Sequence, residues 1–296
     1  MPKLSLLVFV LILIASTPPL AAQDDTGEVI SVDSSVVILN ARITDAAGRH
    51  ISGINRSEFS IFENGVKQEI EFFQAEETPF AAVILIDTSG SMGSNVTLAR
   101  SAAINFLNGL RNSDSAAIYN FDSKVQMVQD FSNSRDVTGR LFDLRSDGMT
   151  SLNDAIYKAA ELLGERPEAR RAIVVLSDGA DTQSGRSASR ALKAAMAVNA
   201  VIYSVDMAPI NSPGKQQNRA VLKNFADRSG GTFVDTPGGA RMRDAFGDIV
   251  EELGVQYTLG YNPKIEKKDG KWRDLELRVS RPGLTIRTRK GYVADK

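Results

Sequence analysis

One stretch restricts the possible folds of this 296-residue chain more than any other: an apolar run that ends abruptly at a group of polar residues. Residues 81–86 are apolar throughout, which predicts a strand buried on both faces. The polar loop of residues 87–91 follows, and apolar residues then recur at the three/four spacing of an amphipathic helix. A strand, a polar loop and a helix in this order place polar side chains at the carboxyl end of a parallel sheet.

The polar loop supplies oxygen ligands at regular spacing. Side chains at alternate positions of an extended chain point the same way, so those of Asp87, Ser89 and Ser91 can converge on one point. One carboxylate and two hydroxyls form an all-oxygen set, which suits Mg²⁺, Ca²⁺ or Mn²⁺ rather than zinc. The sequence therefore predicts a divalent-cation site at the carboxyl end of this first buried strand.

Strand and helix patterns alternate from about residue 80 to residue 256. A second buried strand is predicted at residues 172–176, and an apolar stripe starting at Leu152 predicts a helix before it. Residues 115–128 are interpreted as a hairpin that turns at Asp122 and Ser123. This alternation predicts an α/β fold in which a mostly parallel sheet has helices on both faces.

Five residues in three segments carry a resemblance to a known family. Asp87, Ser89 and Ser91 resemble the first segment of the metal-ion-dependent adhesion site of von Willebrand factor type A (VWA) domains. Thr150 and Asp178 match the second and third segments of that motif, in the expected order along the chain. The resemblance implies a doubly wound, Rossmann-like α/β domain with the metal at the top of its sheet.

The resemblance also implies a ligand set, namely Asp87, Ser89, Ser91, Thr150 and Asp178. Mg²⁺ is the expected ion, with Mn²⁺ and Ca²⁺ as alternatives. Because Mg²⁺ takes about six oxygens, one position stays open, and in the family a carboxylate from a protein partner fills it. The family pattern implies direct ligation by the hydroxyls, with Asp178 acting through water. No catalytic residue and no organic cofactor is predicted.

The same residues also have purely structural interpretations. Asp87 can cap the following helix, and Asp178 can belong to a turn. Thr150 or Ser151 can cap the next helix. Four further aspartates near this end of the sheet can either support the ligands or cap loops and helices: Asp122, Asp154, Asp181 and Asp206.

Residues 1–22 have the three parts of a secretory signal peptide. Lys3 precedes an apolar run, and small residues lead to a cleavage position near Ala22. The run is short for a membrane span, and an uncleaved anchor is the alternative. The chain has no cysteine, so an exported form would be stabilised by its core rather than by disulfides. We expect a bacterial periplasmic or secreted protein with no membrane span after cleavage.

Strand patterns flank the α/β region on both sides. We predict an N-terminal β segment at residues 28–78, a VWA domain at 79–256 and a C-terminal β segment at 257–296. Neither β segment is long enough to bury much surface alone. We therefore expect the two segments to pack together as a small β-sandwich, with the VWA domain inserted between them.

Short motifs in the two β segments resemble parts of a bacterial exported family termed VWFA-related. These motifs are residues 58–65, 259–261 and 289–292. In the first of them, a strand at residues 59–63 is predicted to turn tightly at Asn64 and Gly65, with a returning strand at residues 66–73.

The resemblance favours a binding module that engages a protein partner through the cation and an Asp or Glu carboxylate of that partner. The alternatives are a structural subunit of an envelope assembly with a purely stabilising metal, and a metal-dependent hydrolase. The 35 basic and 36 acidic residues nearly balance, so the charge of the chain does not indicate a nucleic-acid partner. An enzyme is not expected, because the only histidine, His50, lies outside the α/β region and no phosphate loop or nucleophile elbow occurs. The sequence does not predict the oligomeric state.

Overall fold

The structure is a computed structural model that describes most of the chain after residue 35. The described residues are 36–75, 78–93, 95–134, 139–208, 214–235, 240–264 and 269–294. The predicted signal peptide, residues 1–22, lies outside them. Among the residues that are described, no helix is both long enough and apolar enough to cross a membrane.

Most of the strands and helices follow each other in the order that the sequence pattern predicts, with exceptions described below. The strands are β1 (Val37–Thr44), β2 (Phe59–Glu63), β3 (Val66–Gln68), β4 (Phe72–Gln74), β5 (Phe80–Asp87), β6 (Ser115–Phe121), β7 (Val125–Ser132), β8 (Arg170–Ser177), β9 (Ala200–Asp206), β10 (Phe233–Asp235), β11 (Tyr257–Tyr261), β12 (Trp272–Val279), β13 (Thr285–Arg287) and β14 (Gly291–Val293). The α-helices are α1 (Asn95–Gly109), α2 (Gly139–Phe142), α3 (Leu152–Gly164), α4 (Ala188–Ala197), α5 (Lys215–Ser229) and α6 (Ala240–Gly254). Short 3₁₀ helices lie at Arg56–Glu58 and Gly90–Met92.

A six-stranded sheet forms the centre of the α/β region, with the strand order β10-β9-β8-β5-β6-β7. Neighbouring strands are parallel except for β6 and β7, which form the predicted hairpin. All eight residues of β5 are buried, as expected of an apolar strand that helices cover on both faces. The predicted α/β fold with a mostly parallel sheet is therefore confirmed.

Helices cover both faces of this sheet and bury their apolar stripes against it. One core cluster joins α1 and α6 to one face, and a second joins α3, α4 and α5 to the other. In α1, for example, Ala99, Ala103 and Phe106 recur at three- and four-residue spacing and are fully buried. The two clusters fix β5 and β8 in the middle of the domain, where their carboxyl ends carry the predicted ligands.

The two terminal β segments pair directly with each other. Two antiparallel four-stranded sheets result, with the orders β13-β1-β11-β4 and β14-β12-β2-β3. In each sheet a strand from the N-terminal segment lies beside one from the C-terminal segment, β1 with β11 and β2 with β12. Alternate residues of these strands, such as Leu39, Ile61, Leu259 and Leu277, meet in one core between the sheets. The terminal segments thus form a β-sandwich from which the α/β domain extends.

The predicted single returning strand at residues 66–73 is wrong. The turn at Asn64 and Gly65 forms as expected, with φ of 47° and 79°. However, β3 ends at Gln68, and β4 pairs with β11 in the other sheet. Between them, the guanidinium of Arg56 donates a hydrogen bond to the carbonyl of Ile70, so that carbonyl is not free to continue the β3 pairing. The segment therefore crosses from one sheet of the sandwich to the other.

The side chain of Arg170 joins the sandwich to the α/β domain. Arg170 begins β8 and is completely buried, and its guanidinium donates to acceptors on both connecting segments and on the last turn of α6. The acceptors are Thr258 Oγ1 at 2.9 Å, Ala75 O at 2.9 Å, Gly254 O at 3.3 Å, Leu253 O at 3.4 Å, Thr78 O at 3.5 Å and Gln256 O. A buried guanidinium is stable here because carbonyl and hydroxyl oxygens surround its donors.

A second polar contact across the same junction involves Glu252 near the end of α6. Its buried carboxylate accepts from Arg42 of β1 at 2.6 Å and from the hydroxyl of Tyr203 at 3.1 Å. Arg287 of β13 lies 3.7 Å from the same carboxylate. Strands from the sandwich and from the central sheet therefore share one buried acid on α6.

Candidate metal-binding site

The five predicted ligands lie in three loops at the carboxyl edge of the central sheet. Asp87 ends β5, with Ser89 and Ser91 just beyond it, and Asp178 follows β8, the neighbouring strand. Thr150 lies in the loop that leads into α3. The chain passes from β5 to β6 on one side and later to β8 on the other, so β5 lies at the switch point, where such sheets leave a crevice for ligands.

The carboxylate of Asp87 is the buried centre of this arrangement. Its Oδ1 accepts hydrogen bonds from Ser89 N at 2.9 Å and Ser89 Oγ at 2.6 Å, and its Oδ2 accepts from Ser177 Oγ at 2.6 Å. Burial raises the pKa of Asp87 from its ordinary 3.8 to about 6, and the negative charge of Asp178 acts in the same direction. The serine donors oppose this rise. In the absence of a cation, the site therefore carries a carboxylate whose charge is poorly compensated.

The hydroxyls of Ser89 and Ser91 have the spacing that a hard cation requires. Ser89 Oγ donates a hydrogen bond to Asp87 and accepts one from Ser91 Oγ at 3.1 Å, a contact that a cation bound between the two oxygens would replace. Adjacent ligands of an octahedral Mg²⁺ at about 2.1 Å are about 3.0 Å apart. Ser89 is buried, whereas Ser91 is exposed, so the pair extends from the sheet edge to the surface. The residues present thus fit a cation that remains open to solvent.

The loop that carries Thr150 is held against the Asp87 loop by backbone hydrogen bonds. Asp147 N donates to Thr88 O at 2.9 Å, and Gly90 N donates to Gly148 O at 3.1 Å. Thr150 is buried, and its own N–H is bound by the hydroxyl of Thr182 at 2.9 Å. Thr150 is therefore kept in the same group of loops as Asp87.

The third predicted ligand segment turns sharply after β8. Asp178 Oδ1 accepts from Ala180 N at 3.0 Å, which is the turn that the sequence allowed. Gly179 has φ of +79°, and a Cβ there would lie 2.6 Å from the backbone oxygen of Asn218. Only glycine fits this position. The turn and a metal role are compatible, because the hydrogen bond engages one carboxylate oxygen.

The side chain of Ser151 does not cap α3, although this was one structural interpretation of the sequence. Ser151 makes no capping hydrogen bond at the start of the helix. The first turn of α3 is instead capped from the loop after β8, since Asn153 N donates to Asp181 Oδ2 at 2.9 Å and Asp154 N donates to Ser184 Oγ at 3.1 Å.

The four further aspartates each accept backbone N–H groups close to the site. Asp181 caps α3, and Asp154 accepts from Gly185 and Arg186. Asp122 accepts from Lys124, and Asp206 accepts from Ala208. Of the two interpretations, capping is therefore the one that the hydrogen bonds of these four residues support.

Two residues beside the predicted ligands support them, a role that was not predicted from the sequence. Ser177 donates to Asp87 and accepts from Gly179 N at 3.0 Å, so it connects the first and third segments. Thr182 holds the second segment, as its N–H also donates to Thr150 O at 2.9 Å. Ser177 is the one polar residue ending an otherwise apolar run, and that signal was available; Thr182 has no comparable sequence signal.

The donor chemistry of the site is two carboxylates with neutral hydroxyls. Among the described residues, no three Asp, Glu or His side chains come together as a metal-binding group. A cation here would therefore be held by Asp87 and Asp178 together with Ser89, Ser91 and Thr150. Such a set suits Mg²⁺, which keeps waters and prefers oxygen ligands.

Comparison with known proteins identifies the class to which this fold belongs. Residues 82–180, which include most of β5, all of β8 and every predicted ligand, match the family description of the von Willebrand factor type A domain. The chain therefore contains a VWA domain. No curated protein gave a significant match over the chain.

Several solved structures are similar to this chain at low sequence identity. The vWF domain of the type V pili tip protein Mfa5 from Porphyromonas gingivalis is 13% identical, covering 60% of this chain and 96% of that one, with a TM-score of 0.51. A structure of three N-terminal domains of Mfa5 is 10% identical over 87% and 68%, with a TM-score of 0.50. The PilB minor pilin from Streptococcus sanguinis is 15% identical over 60% of this chain, which spans 62% of the pilin, with a TM-score of 0.47.

Proposed function

We propose that the protein is an exported binding module that engages a protein partner through a divalent cation. Asp87, Ser89, Ser91, Thr150 and Asp178 would hold the ion, and an Asp or Glu carboxylate of the partner would complete its coordination. The bound cation supplies a positive charge with an open coordination position. The protein's own residues fix that charge at the surface end of a rigid sheet edge.

One observation carries this proposal: the 3.1 Å separation between the hydroxyls of Ser89 and Ser91, next to a buried Asp87 that accepts a hydrogen bond from Ser89. This geometry leaves oxygen lone pairs at the spacing of adjacent Mg²⁺ ligands. Ser91 is exposed, so an ion bound there would be accessible to a large partner. An ion with a purely stabilising role would need no such access.

The proteins that share this fold support a role in protein interaction. The VWA domain is the fold of Mfa5, which is described as a pili tip protein. We extend from this an envelope or extracellular location for the present chain, in line with the signal peptide predicted at residues 1–22.

We further propose that the protein is not an enzyme. The only histidine, His50, lies in the β-sandwich, where its ring is 6.0 Å from that of Tyr257. The serines beside Asp87 already donate to that carboxylate. A serine nucleophile needs a base that takes its proton and a third group that orients the base. The residues around Asp87 are better suited to binding than to proton transfer.

The proposal is tested by thermal unfolding of the protein in EDTA and in millimolar Mg²⁺, Mn²⁺ or Ca²⁺. An ion at about 100 times its dissociation constant adds about 2.7 kcal/mol to the free energy of unfolding. The melting temperature should then rise by roughly 5–10 °C. Ser91→Ala removes one exposed ligand and should lose most of this rise while unfolding normally in EDTA, because surface substitutions change stability by about 0.5 kcal/mol or less.

The matched control is Ser101→Ala, which removes an exposed hydroxyl that binds only the carbonyl of Thr97 within α1. This variant should keep the full rise in melting temperature. If no ion stabilises the native chain, or if Ser91→Ala and Ser101→Ala respond alike, the proposed cation site is wrong.

A further inference from the structure

The loop before α3 is fixed at nearly every backbone group. The hydrogen bonds of Asp147 N and Gly148 O to the Asp87 loop are followed by Met149 N to Ser123 Oγ at 3.2 Å. Thr150 N then binds Thr182 Oγ1, and Ser151 N donates to Asp122 O at 2.9 Å. Successive residues of this loop are therefore anchored to three different loops, which leaves its backbone little freedom.

One side chain of this rigid loop faces solvent. Met149 is 51% exposed, whereas its neighbour Thr150 is 3% exposed. Large apolar side chains with this exposure are few among the described residues: Val36, Val66, Met127, Phe142 and Met149. Met149 differs from the others because it directly precedes a predicted ligand. Its exposed side chain is therefore carried by the same rigid loop as Thr150, one position before it.

We propose that Met149 determines which carboxylates the site accepts. The partner residue that offers its Asp or Glu carboxylate would have a bulky apolar side chain within two positions, and that side chain would pack on Met149. This inference rests on the proposed function and adds the chemistry of the partner segment. A rigid loop that exposes an apolar side chain loses little entropy when that side chain is covered.

The residue type sets how selective this contact is. Methionine is unbranched and polarizable, so it adapts to apolar partners of different shapes. Met149 should therefore favour Leu, Ile, Met or Phe as a class over Gly, Ser or charged residues, rather than select one of them. The carboxylate would supply the metal bond, and the apolar neighbour would separate true partners from other acidic surfaces.

The test is a selection of random displayed peptides on the immobilised protein in millimolar Mg²⁺, with release by EDTA. Three proteins are compared: the native chain, Met149→Ser and the matched control Met127→Ser. Met127 is 46% exposed on the edge strand β7, away from the predicted ligands. Both substitutions are at exposed positions and should leave the melting temperature unchanged, which is measured first.

The expected result is that EDTA-released peptides from the native chain and Met127→Ser share an acidic residue with a bulky apolar residue within two positions. Met149→Ser should retain the acidic residue but lose the apolar one. The best native peptide should bind Met149→Ser about tenfold more weakly, as expected for loss of one substantial interface contact.

Two results would overturn the inference, and they differ in what else they overturn. Acidic peptides without an apolar neighbour, or the same peptides from Met149→Ser, would remove the role of Met149 and leave the cation-dependent function intact. An absence of EDTA-released acidic peptides from all three proteins would reject the proposed function, and the inference with it.

Discussion

Asp87 is a single buried carboxylate at the centre of the proposed cation site. It accepts three hydrogen bonds and yet has a pKa raised to about 6, because burial outweighs the donors and Asp178 adds a second negative charge. A buried charge without a counter-charge destabilises the folded state. Under the proposed function, a bound cation would supply that counter-charge.

The raised pKa of Asp87 makes the free energy of unfolding depend on pH. The folded state holds the Asp87 proton up to about pH 6, whereas the unfolded state releases it near 3.8, so the folded state binds more protons between these values. The stabilisation present below the lower pKa is lost as pH rises through the upper one. In EDTA, native stability should fall by roughly 3 kcal/mol relative to Asp87→Asn across this window.

The measurement is urea denaturation of both proteins from about pH 4 to pH 7. Using the difference between the two proteins removes the contribution of the other titrating groups. Mg²⁺ should reduce the native slope, because a cation favours the charged carboxylate. Parallel pH profiles of the two proteins in EDTA would show that Asp87 titrates normally.

At the scale of single elements, the hairpin β2–β3 depends on two residues with positive φ. Gly65 has φ of +79°, which a side chain resists, so Gly65→Ala should lower the free energy of unfolding by about 1–2 kcal/mol. Gly247 is the matched control, since it lies in α6 with ordinary helical φ and open space where a Cβ would go. Gly247→Ala should stabilise the protein by about 0.5–1 kcal/mol.

Both values are obtained from urea midpoints at constant m-value. Opposite signs for these two substitutions are the essential result. A loss of stability at both positions would mean that space, rather than backbone conformation, controls alanine tolerance here.

Elements with long, uniform patterns were predictable from the sequence, and short ones were not. The apolar runs of β5 and β8 and the stripe of α3 each span enough residues to define a period. By contrast, α2 has four residues and β14 has three, which is too few for any period to emerge. The crossing of residues 66–73 between two sheets depends on Arg56, whose tertiary contact with Ile70 leaves no local signal.

The same limit applies to the candidate site. Residue types and their order along the chain are enough to predict the candidate ligands, which are Asp87, Ser89, Ser91, Thr150 and Asp178. The sequence does not reveal that Asp181 caps α3, because that contact joins residues 28 positions apart. Ligand types are thus local information, whereas the positions of their hydroxyls are set by distant hydrogen bonds.

At the scale of the whole molecule, Arg170 is the side chain on which the connection of the two folded regions depends. Replacing it in Arg170→Met would leave buried carbonyls of both connecting segments without their donor. We expect a loss of about 3–5 kcal/mol in the free energy of unfolding. Arg278→Met is the control, because Arg278 is exposed and pairs with Glu276, and such pairs contribute about 1 kcal/mol or less.

Trp272 provides the signal for this experiment. It is the only tryptophan, and although it belongs to β12 of the sandwich it packs against the core that covers one face of the central sheet. Its fluorescence therefore reports on both regions at once. Equal losses for Arg170→Met and Arg278→Met would show that other contacts, such as those of Glu252, suffice to hold the junction.

The pairing of β1 with β11 has a consequence for the order in which the protein can fold. Thr258 donates to the side chain of Asn40, which lies 218 positions earlier in the sequence. Strand β1 therefore cannot pair with β11 until residues 257–261 are present. The α/β domain has its contacts nearer in sequence and can form earlier, whereas pairings of such high contact order form slowly. During synthesis, β1 therefore stays without its β11 partner until residues 257–261 have been made.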